Sequence, residues 1–372
     1  MKNYTRLGLI ALVILVMMRL YRNRPQVTQN QAEKVLVTLA EANIKGFDPA
    51  QEEGVYTAVE VTKVYEGLFE YDYLKDPCQL TTNLAAEMPT VSADGRVYTI
   101  KIKKGVKFHD NPCFEGDQGR ELEAKDFIYS LKRVADSHVR SGWFSLLSSK
   151  IQGLNAWREK YKESATANYE EAVAGLKALD KYTLQITLTK PWPQLPYILA
   201  MSFSYAVPRE AVEHYGKEFL NHPVGTGPFI LKEFKPQLNK LVYYKNPTFR
   251  DKFFPSEASE KYEHMLNYAG RKLPMVDKII THILPEEQPR WLKFQKGKAD
   301  VIDLAAANIA TEVVKKEGLV PHLQRKGVQL SHEPEQGTYY FVFNNGHELF
   351  KNNFKLKQAL ALAFDREGFN QL

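Results

Sequence analysis

Strand-forming and helix-forming patterns follow one another along this sequence without a fixed βαβ repeat. That irregular order is the strongest constraint on its fold, because it points to an α/β architecture with mixed sheets. Val97-Tyr98-Thr99-Ile100-Lys101-Ile102 alternates after the turn Asp94-Gly95, predicting a strand with one buried face. Residues 182–188 (YTLQITL) do the same after Leu179-Asp180-Lys181, and the prolines at 191, 193 and 196 end that strand. Val35 to Leu39 predicts a short buried strand leading into the turn Phe47-Asp48-Pro49. Gly225-Thr226-Gly227-Pro228 predicts a tight turn feeding a strand, with further strands at 240–244 and 276–284. A helical period at Val61, Val64, Tyr65 and Leu68 is expected to end at Gly67. A second helix, 124–136, sets Phe127, Ile128, Leu131, Val134 and Ala135 on one face and turns Lys125, Lys132 and Arg133 to water. The polar stretch 250–271 reads as an insertion with some helix. At 372 residues the protein needs two or three lobes.

Most of the formal charge of +6 lies in the first 24 residues, where Lys2, Arg6, Arg19, Arg22 and Arg24 stand without an acidic residue. The body is near neutral and has no basic block, so nucleic acid is not expected as a partner. Leu7 to Met18 is an unbroken apolar run behind Lys2 and Arg6, the order of a secretory signal. No A-x-A site follows it, and the arginines beyond it oppose translocation, so residues 1–24 are read as a signal peptide or a membrane anchor, with 7–21 as the anchoring stretch. Cys78 and Cys113 are the only cysteines and lack metal-site spacing. In an exported protein they favour a disulfide, with two free buried thiols as the alternative.

Signs of catalysis are sparse. Gly225 and Gly227 lack the third glycine and the following helix of a phosphate loop. His347-Glu348-Leu349-Phe350-Lys351 opens like a zincin motif and ends on lysine, which removes the second ligand. His109-Asp110 reads as a polar turn after a strand, and Glu52-Glu53 and Glu286-Glu287 as solvated loop charges. No metal site, cofactor or enzyme activity is expected. The 12% aromatic content suits a protein that grips varied ligands.

Several segments, in order, resemble the extracytoplasmic solute-binding proteins of peptide- and nickel-type ABC importers, the oligopeptide-binding family 5 class. They are Phe47-Asp48-Pro49, Glu66-Gly67-Leu68-Phe69, residues 83–87 (NLAAE), 98–110 (YTIKIKKGVKFHD) and 126–133 (DFIYSLKR). Val224-Gly225-Thr226-Gly227-Pro228-Phe229, Asn246-Pro247, residues 297–301 (GKADV), Phe343-Asn344 and 357–366 (KQALALAFDR) continue the series. Each motif is weak alone; the collinear set, from about residue 34 onward, is specific.

This resemblance implies a bilobed, periplasmic-binding-protein-like fold. Residues 34–70 and 181–285 would form lobe I, 71–180 an accessory domain inserted in it, and 286–372 the start of lobe II. The family continues beyond the equivalent of Leu372, so the second lobe is expected to be incomplete and the sequence to be truncated at its carboxyl end. The implied function is non-covalent capture of a peptide or similar small solute between the lobes, outside the cytoplasm, for delivery to a membrane permease. Candidate ligand-facing residues are Glu41, Ala42 and Tyr56 from lobe I and Tyr340, Phe343 and Asn344 from lobe II. Glu123 stands where the family usually has a helix-capping threonine, a modest loss. The alternative reading is a membrane-anchored sensor or assembly protein that uses the same fold.

Overall fold

The computed structural model describes residues 33–235, 238–304, 309–310, 313–315, 318–331 and 340–371. The leader and anchor expectation, including residues 7–21, therefore falls outside the described residues. Among those described, no helix is long and apolar enough to cross a membrane. The strands used below are β1 (Val35–Ala40), β2 (Phe69–Asp72), β3 (Gln79–Thr82), β4 (Thr90–Val91), β5 (Val97–Lys101), β6 (Leu176–Asp180), β7 (Thr183–Thr187), β8 (Phe229–Lys235), β9 (Lys240–Lys245) and β10 (Lys278–Ile283). The helices are α1 (Val55–Val64), α2 (Ala124–Ala135) and α3 (Glu287–Gln295). The mixed α/β class is as expected.

A four-stranded sheet in the order β1-β10-β9-β8 organises the first compact unit, which extends to Val301. Its one parallel pair joins β1 to β10, Val35 opposite Lys278 and Ala40 opposite Ile283; the other pairs are antiparallel. The start of β1 is fixed by the Lys34 amide donating to the Asp277 carboxylate at 3.0 Å. Its free edge is capped by Asp300, whose carboxylate accepts from the Val37 amide at 2.7 Å and whose own amide donates to the Val37 carbonyl. Residues 286–301 thus pack with the first unit, and the compact division falls at 301/302 where lobe II was expected to begin at 286. Phe47, Val61, Val64, Tyr65, Leu68 and Tyr243 are buried against this sheet.

Helix α1 stops at Val64, earlier than the glycine signal predicts. Gly67 has another duty: a Cβ there would sit 2.5 Å from a Tyr205 ring carbon, so only glycine admits that ring.

The accessory segment carries an antiparallel sheet, β4-β5-β7-β6, with α2 packed on it. Because β7 pairs with both β5 and β6, the expected boundary at 180/181 runs through a β-hairpin. The expectation that Lys132 and Arg133 face water is overturned. Both are buried, because residues 154–171 and the Asp48 loop cover that side of α2. The Lys132 ammonium donates to the Tyr169 and Glu171 carbonyls and lies 4.8 Å from the Trp157 ring centroid, and burial draws its pKa down to about 8. Arg133 forms a bidentate pair with Asp48 at 2.7 Å on both arms and stacks on Phe219. At the start of α2 the Asp126 carboxylate accepts from the Glu123 amide at 2.8 Å, so this arm of a capping box survives without a threonine.

The second unit, residues 302–372, contains a short antiparallel pair, Val314–Lys315 with Gly318–Leu319, and the helix Phe354–Ala363, whose N-cap Asn353 accepts from the Leu356 amide. Phe354 and Leu362 of that helix are exposed.

Candidate functional site

Parallel strands point their carboxyl ends the same way, and the loops leaving those ends are where open α/β sheets carry ligands. Here that place is the end of the β1–β10 pair. The backbone leaves β1 at Ala40 into Glu41 and Ala42, both half-buried, and leaves β10 at Ile283 toward α3. The Leu284 amide donates to the Ala40 carbonyl, holding the two exits together.

Three side chains meet there. One Glu41 carboxylate oxygen accepts from the Tyr56 hydroxyl at 2.9 Å, and the other lies 3.2 Å from the Arg290 guanidinium. Arg290, on the first turns of α3, also donates to the Leu284 and Pro285 carbonyls at 2.8 and 2.7 Å. It is 3% exposed, and its Nε is buried with no partner among the described residues. A carboxylate can accept about four hydrogen bonds. Glu41 is therefore fixed in place yet retains acceptor capacity for an ammonium, amide or hydroxyl from outside. Tyr56, Val55 and Val59 are exposed along the same stretch of α1 and give the polar centre an apolar border.

The loop that aims Tyr56 is held from below. The Trp143 indole donates to the Glu52 carbonyl at 2.7 Å, and the Ser202 hydroxyl to the Glu52 carboxylate at 2.9 Å. Glu52 is thus buried, contrary to its reading as a solvated loop charge; burial raises its pKa, opposed by the serine. Gly54 takes φ +85° before α1, a left-handed turn that favours glycine. Beneath the site, Glu60 accepts from Tyr243 and Lys63, and Thr38 and Thr281 bond across the parallel pair at 2.9 Å. Burial lowers the Lys63 pKa, opposed by Glu60.

The structure brings Glu41 and Tyr56 into direct contact, with Ala42 next to Glu41 in sequence. In the second unit Tyr340 is exposed, Phe343 packs on Phe350 with ring centroids 5.2 Å apart, and the Asn344 side chain closes a turn onto the Gly346 amide. Arg290 is the member of the site that sequence reasoning misses. Its setting, Glu286-Glu287-Gln288-Pro289, is polar and carries no period, and the only hint is a proline suited to the first turn of a helix. The expected Cys78–Cys113 disulfide is corrected, since both thiols are free. Cys78 is exposed in the β2–β3 connection, whereas Cys113 is half-buried in a turn whose amide donates to Asn111, and burial raises its thiol pKa to about 11. His109-Asp110 is no polar turn either. His109 is fully buried, its Nε2 lies 2.9 Å from the Gly227 carbonyl, and burial pushes its pKa down to about 4. No cluster of three or more His, Cys, Asp or Glu side chains suited to a metal occurs among the described residues.

Comparison with known proteins gives a consistent picture. The model of the bacterial extracellular solute-binding proteins, family 5, matches residues 79–372. The dipeptide-binding protein of Escherichia coli K12 is 27% identical over 344 residues, which cover 90% of this chain and 55% of that protein. The glutathione-binding protein GsiB of Shigella flexneri is 25% identical, over 90% of this chain and 53% of its own length. The chain thus spans about half the length of the curated relatives it matches. Among solved structures, OppA of Burkholderia pseudomallei superposes with a TM-score of 0.67 at 19% identity, covering 90% of this chain and 57% of that one. Listeria monocytogenes OppA bound to peptide gives 0.60 at 22%, covering 77% and 49%. These structures share the fold, and with a family match across most of its length the chain belongs to the bacterial extracellular solute-binding proteins of family 5.

Proposed function

We propose that this protein acts as the non-catalytic solute-binding component of an ABC importer, working outside the cytoplasm, with a short peptide or similar small solute as its ligand. The observation that carries this reading is Glu41, a carboxylate held by Tyr56 and Arg290 at the carboxyl ends of the parallel strands, with acceptor capacity left over. In this reading Glu41 takes a donor of the solute, the Tyr56 ring and Ala42 flank its extended backbone, and Tyr340, Phe343 and Asn344 supply further contacts. The dipeptide- and glutathione-binding relatives make small peptidic solutes the class to test first. A membrane permease is the implied recipient. The sensor or assembly alternative draws no support from these relatives.

Calorimetric titration of the purified protein with di- and tripeptides and with glutathione tests this reading. Binding of at least one, weakened about tenfold or more in Glu41→Gln, is expected, tenfold being about 1.4 kcal/mol. Absence of binding to every solute, or binding that Glu41→Gln leaves unchanged, overturns it.

A further inference from the structure

The end of the central sheet at which β1 begins carries an excess of positive charge. A pocket of about 330 Å³ there is lined by Lys34, Lys245, Arg271, Lys272 and Asp277, with Pro274 and Met275 between them. Four cations thus line it with one carboxylate. Its frame is fixed by backbone bonds. The Lys34 amide donates to the Asp277 carboxylate at 3.0 Å, the Asp277 amide to the Lys34 carbonyl at 2.9 Å, and the Lys245 amide to the Asp277 carbonyl at 2.9 Å.

The neighbouring carboxylates are committed to other cations. Asp251 pairs with Lys272 at 2.6 Å, while Glu33, at 3.8 Å, and Glu233 both act on Lys278, outside the lining. Among the described residues no carboxylate oxygen lies within 4.0 Å of the Lys34 or Lys245 ammonium or of the Arg271 guanidinium. Residues 25–32 (PQVTQNQA), which precede Glu33, bring no charge of their own. Against Asp277, these three cations leave a surplus of two positive charges within the lining. Hydrogen-bonding capacity is left over as well. The Lys245 ammonium donates to the Pro274 carbonyl at 3.1 Å, but the Arg271 guanidinium only lies 4.9 Å from the Tyr268 ring centroid, so its donors are uncommitted among the described residues. The Met275 amide likewise has no acceptor among them. One Asp277 oxygen takes the Lys34 amide and the other has no donor among them. Like charges fixed side by side repel, and an anion placed between them relieves that repulsion.

We propose that this pocket binds hydrogen phosphate, the phosphate dianion that keeps one proton. The guanidinium fork, the ammonium groups and the Met275 amide take its unprotonated oxygens, and the unengaged Asp277 oxygen accepts from its P–OH. Asp277 is then the specificity element. Sulfate has the same charge but no proton to offer, so the carboxylate repels it; the phosphodiester of a lipid headgroup lacks that proton too. The pocket lies at the opposite end of β1 from Glu41 and does not depend on the solute-binding reading.

Calorimetric titration of the whole protein with sodium phosphate and with sodium sulfate, in mildly alkaline buffer at matched ionic strength, tests the proposal. Phosphate is expected to bind at least tenfold more tightly than sulfate, and equally well in Glu41→Gln. That comparison of two anions on the wild-type protein needs no variant to fold. Arg271→Gln, at an exposed position, should weaken phosphate binding at least tenfold. Asp277→Asn keeps an acceptor for the Lys34 amide and adds a donor, so the preference for phosphate over sulfate should shrink at least tenfold. Absence of phosphate binding, sulfate bound as tightly as phosphate, or an affinity that Arg271→Gln leaves unchanged overturns the proposal. A preference that survives Asp277→Asn does the same. So does binding to phosphatidylglycerol vesicles without binding to free phosphate, which would assign the pocket to a membrane surface.

Discussion

Two buried arginines on helices, Arg133 and Arg290, each reach back to a carboxylate in the first fifty residues, and they are built to different specifications. Arg133 meets Asp48 through both arms at 2.7 Å and lies over the Phe219 ring, so both oxygens of that carboxylate are engaged. Arg290 meets Glu41 at 3.2 Å, makes its shorter bonds to the Leu284 and Pro285 carbonyls, and leaves Nε unpartnered among the described residues. The difference separates a lock from the proposed site. The bidentate pair fastens α2 to the Asp48 loop, while Glu41 retains the acceptor capacity that the proposed solute site requires.

The widest gap between the two pairs is expected in stability. Asp48→Ala leaves a guanidinium buried and unpaired, a loss of about 3 to 5 kcal/mol. Glu41→Ala leaves Arg290 with its two carbonyl acceptors and costs about 1 to 2 kcal/mol. Urea unfolding midpoints compare them directly; equal losses would erase the distinction.

Acid provides a further test. The His109 pKa is pushed from its ordinary range down to about 4 by burial. Between about pH 6.5 and 4 the unfolded state therefore binds this proton and the folded state does not. Stability present above the unfolded value is lost as pH falls through that window, by roughly 3 kcal/mol in all. His282, also lowered by burial, acts in the same direction, whereas His138, raised by Asp136, opposes them. The difference between wild type and His109→Gln isolates the His109 part. If the two lose stability in parallel over this window, His109 is not the source of the acid sensitivity.

The smallest effect sharpens the site side. Tyr56→Phe removes one hydroxyl donor to Glu41 at a half-exposed position. The unfolding midpoint should move by less than about 1 kcal/mol, and solute affinity should change severalfold in calorimetry. A large stability loss with unchanged affinity would make Tyr56 part of a lock as well.

Much of this fold is legible in the sequence. Alternation locates β5 and β7, and the glycine turn marks the start of β8, because each signal is local. The burial of Lys132 and Arg133 is not legible. Helical periodicity shows which face of α2 is polar but not that residues 154–171 and the Asp48 loop lie over it, bringing carbonyls, rings and a carboxylate that make burial tolerable. For the same reason His109 reads as a turn residue, since its burial is created by Gly225 and Gly227, more than a hundred residues away. Of the site, Glu41 and Tyr56 come from family resemblance. Arg290 has no pattern to betray it, because its meaning depends on β1 and β10 lying side by side.

That parallel pairing also sets a schedule. Thr38 meets Thr281 only after 243 further residues have been made, which at about 5 to 20 residues per second leaves the segment VLVTLA waiting for roughly 10 to 50 seconds. On the far side of the sheet β8 and β9 are close in sequence and can pair as a hairpin as soon as they are synthesised. The oldest strand of the sheet is thus among the last to be paired, and until β10 is made it is an apolar, β-prone ribbon of the kind that can pair with its own copies.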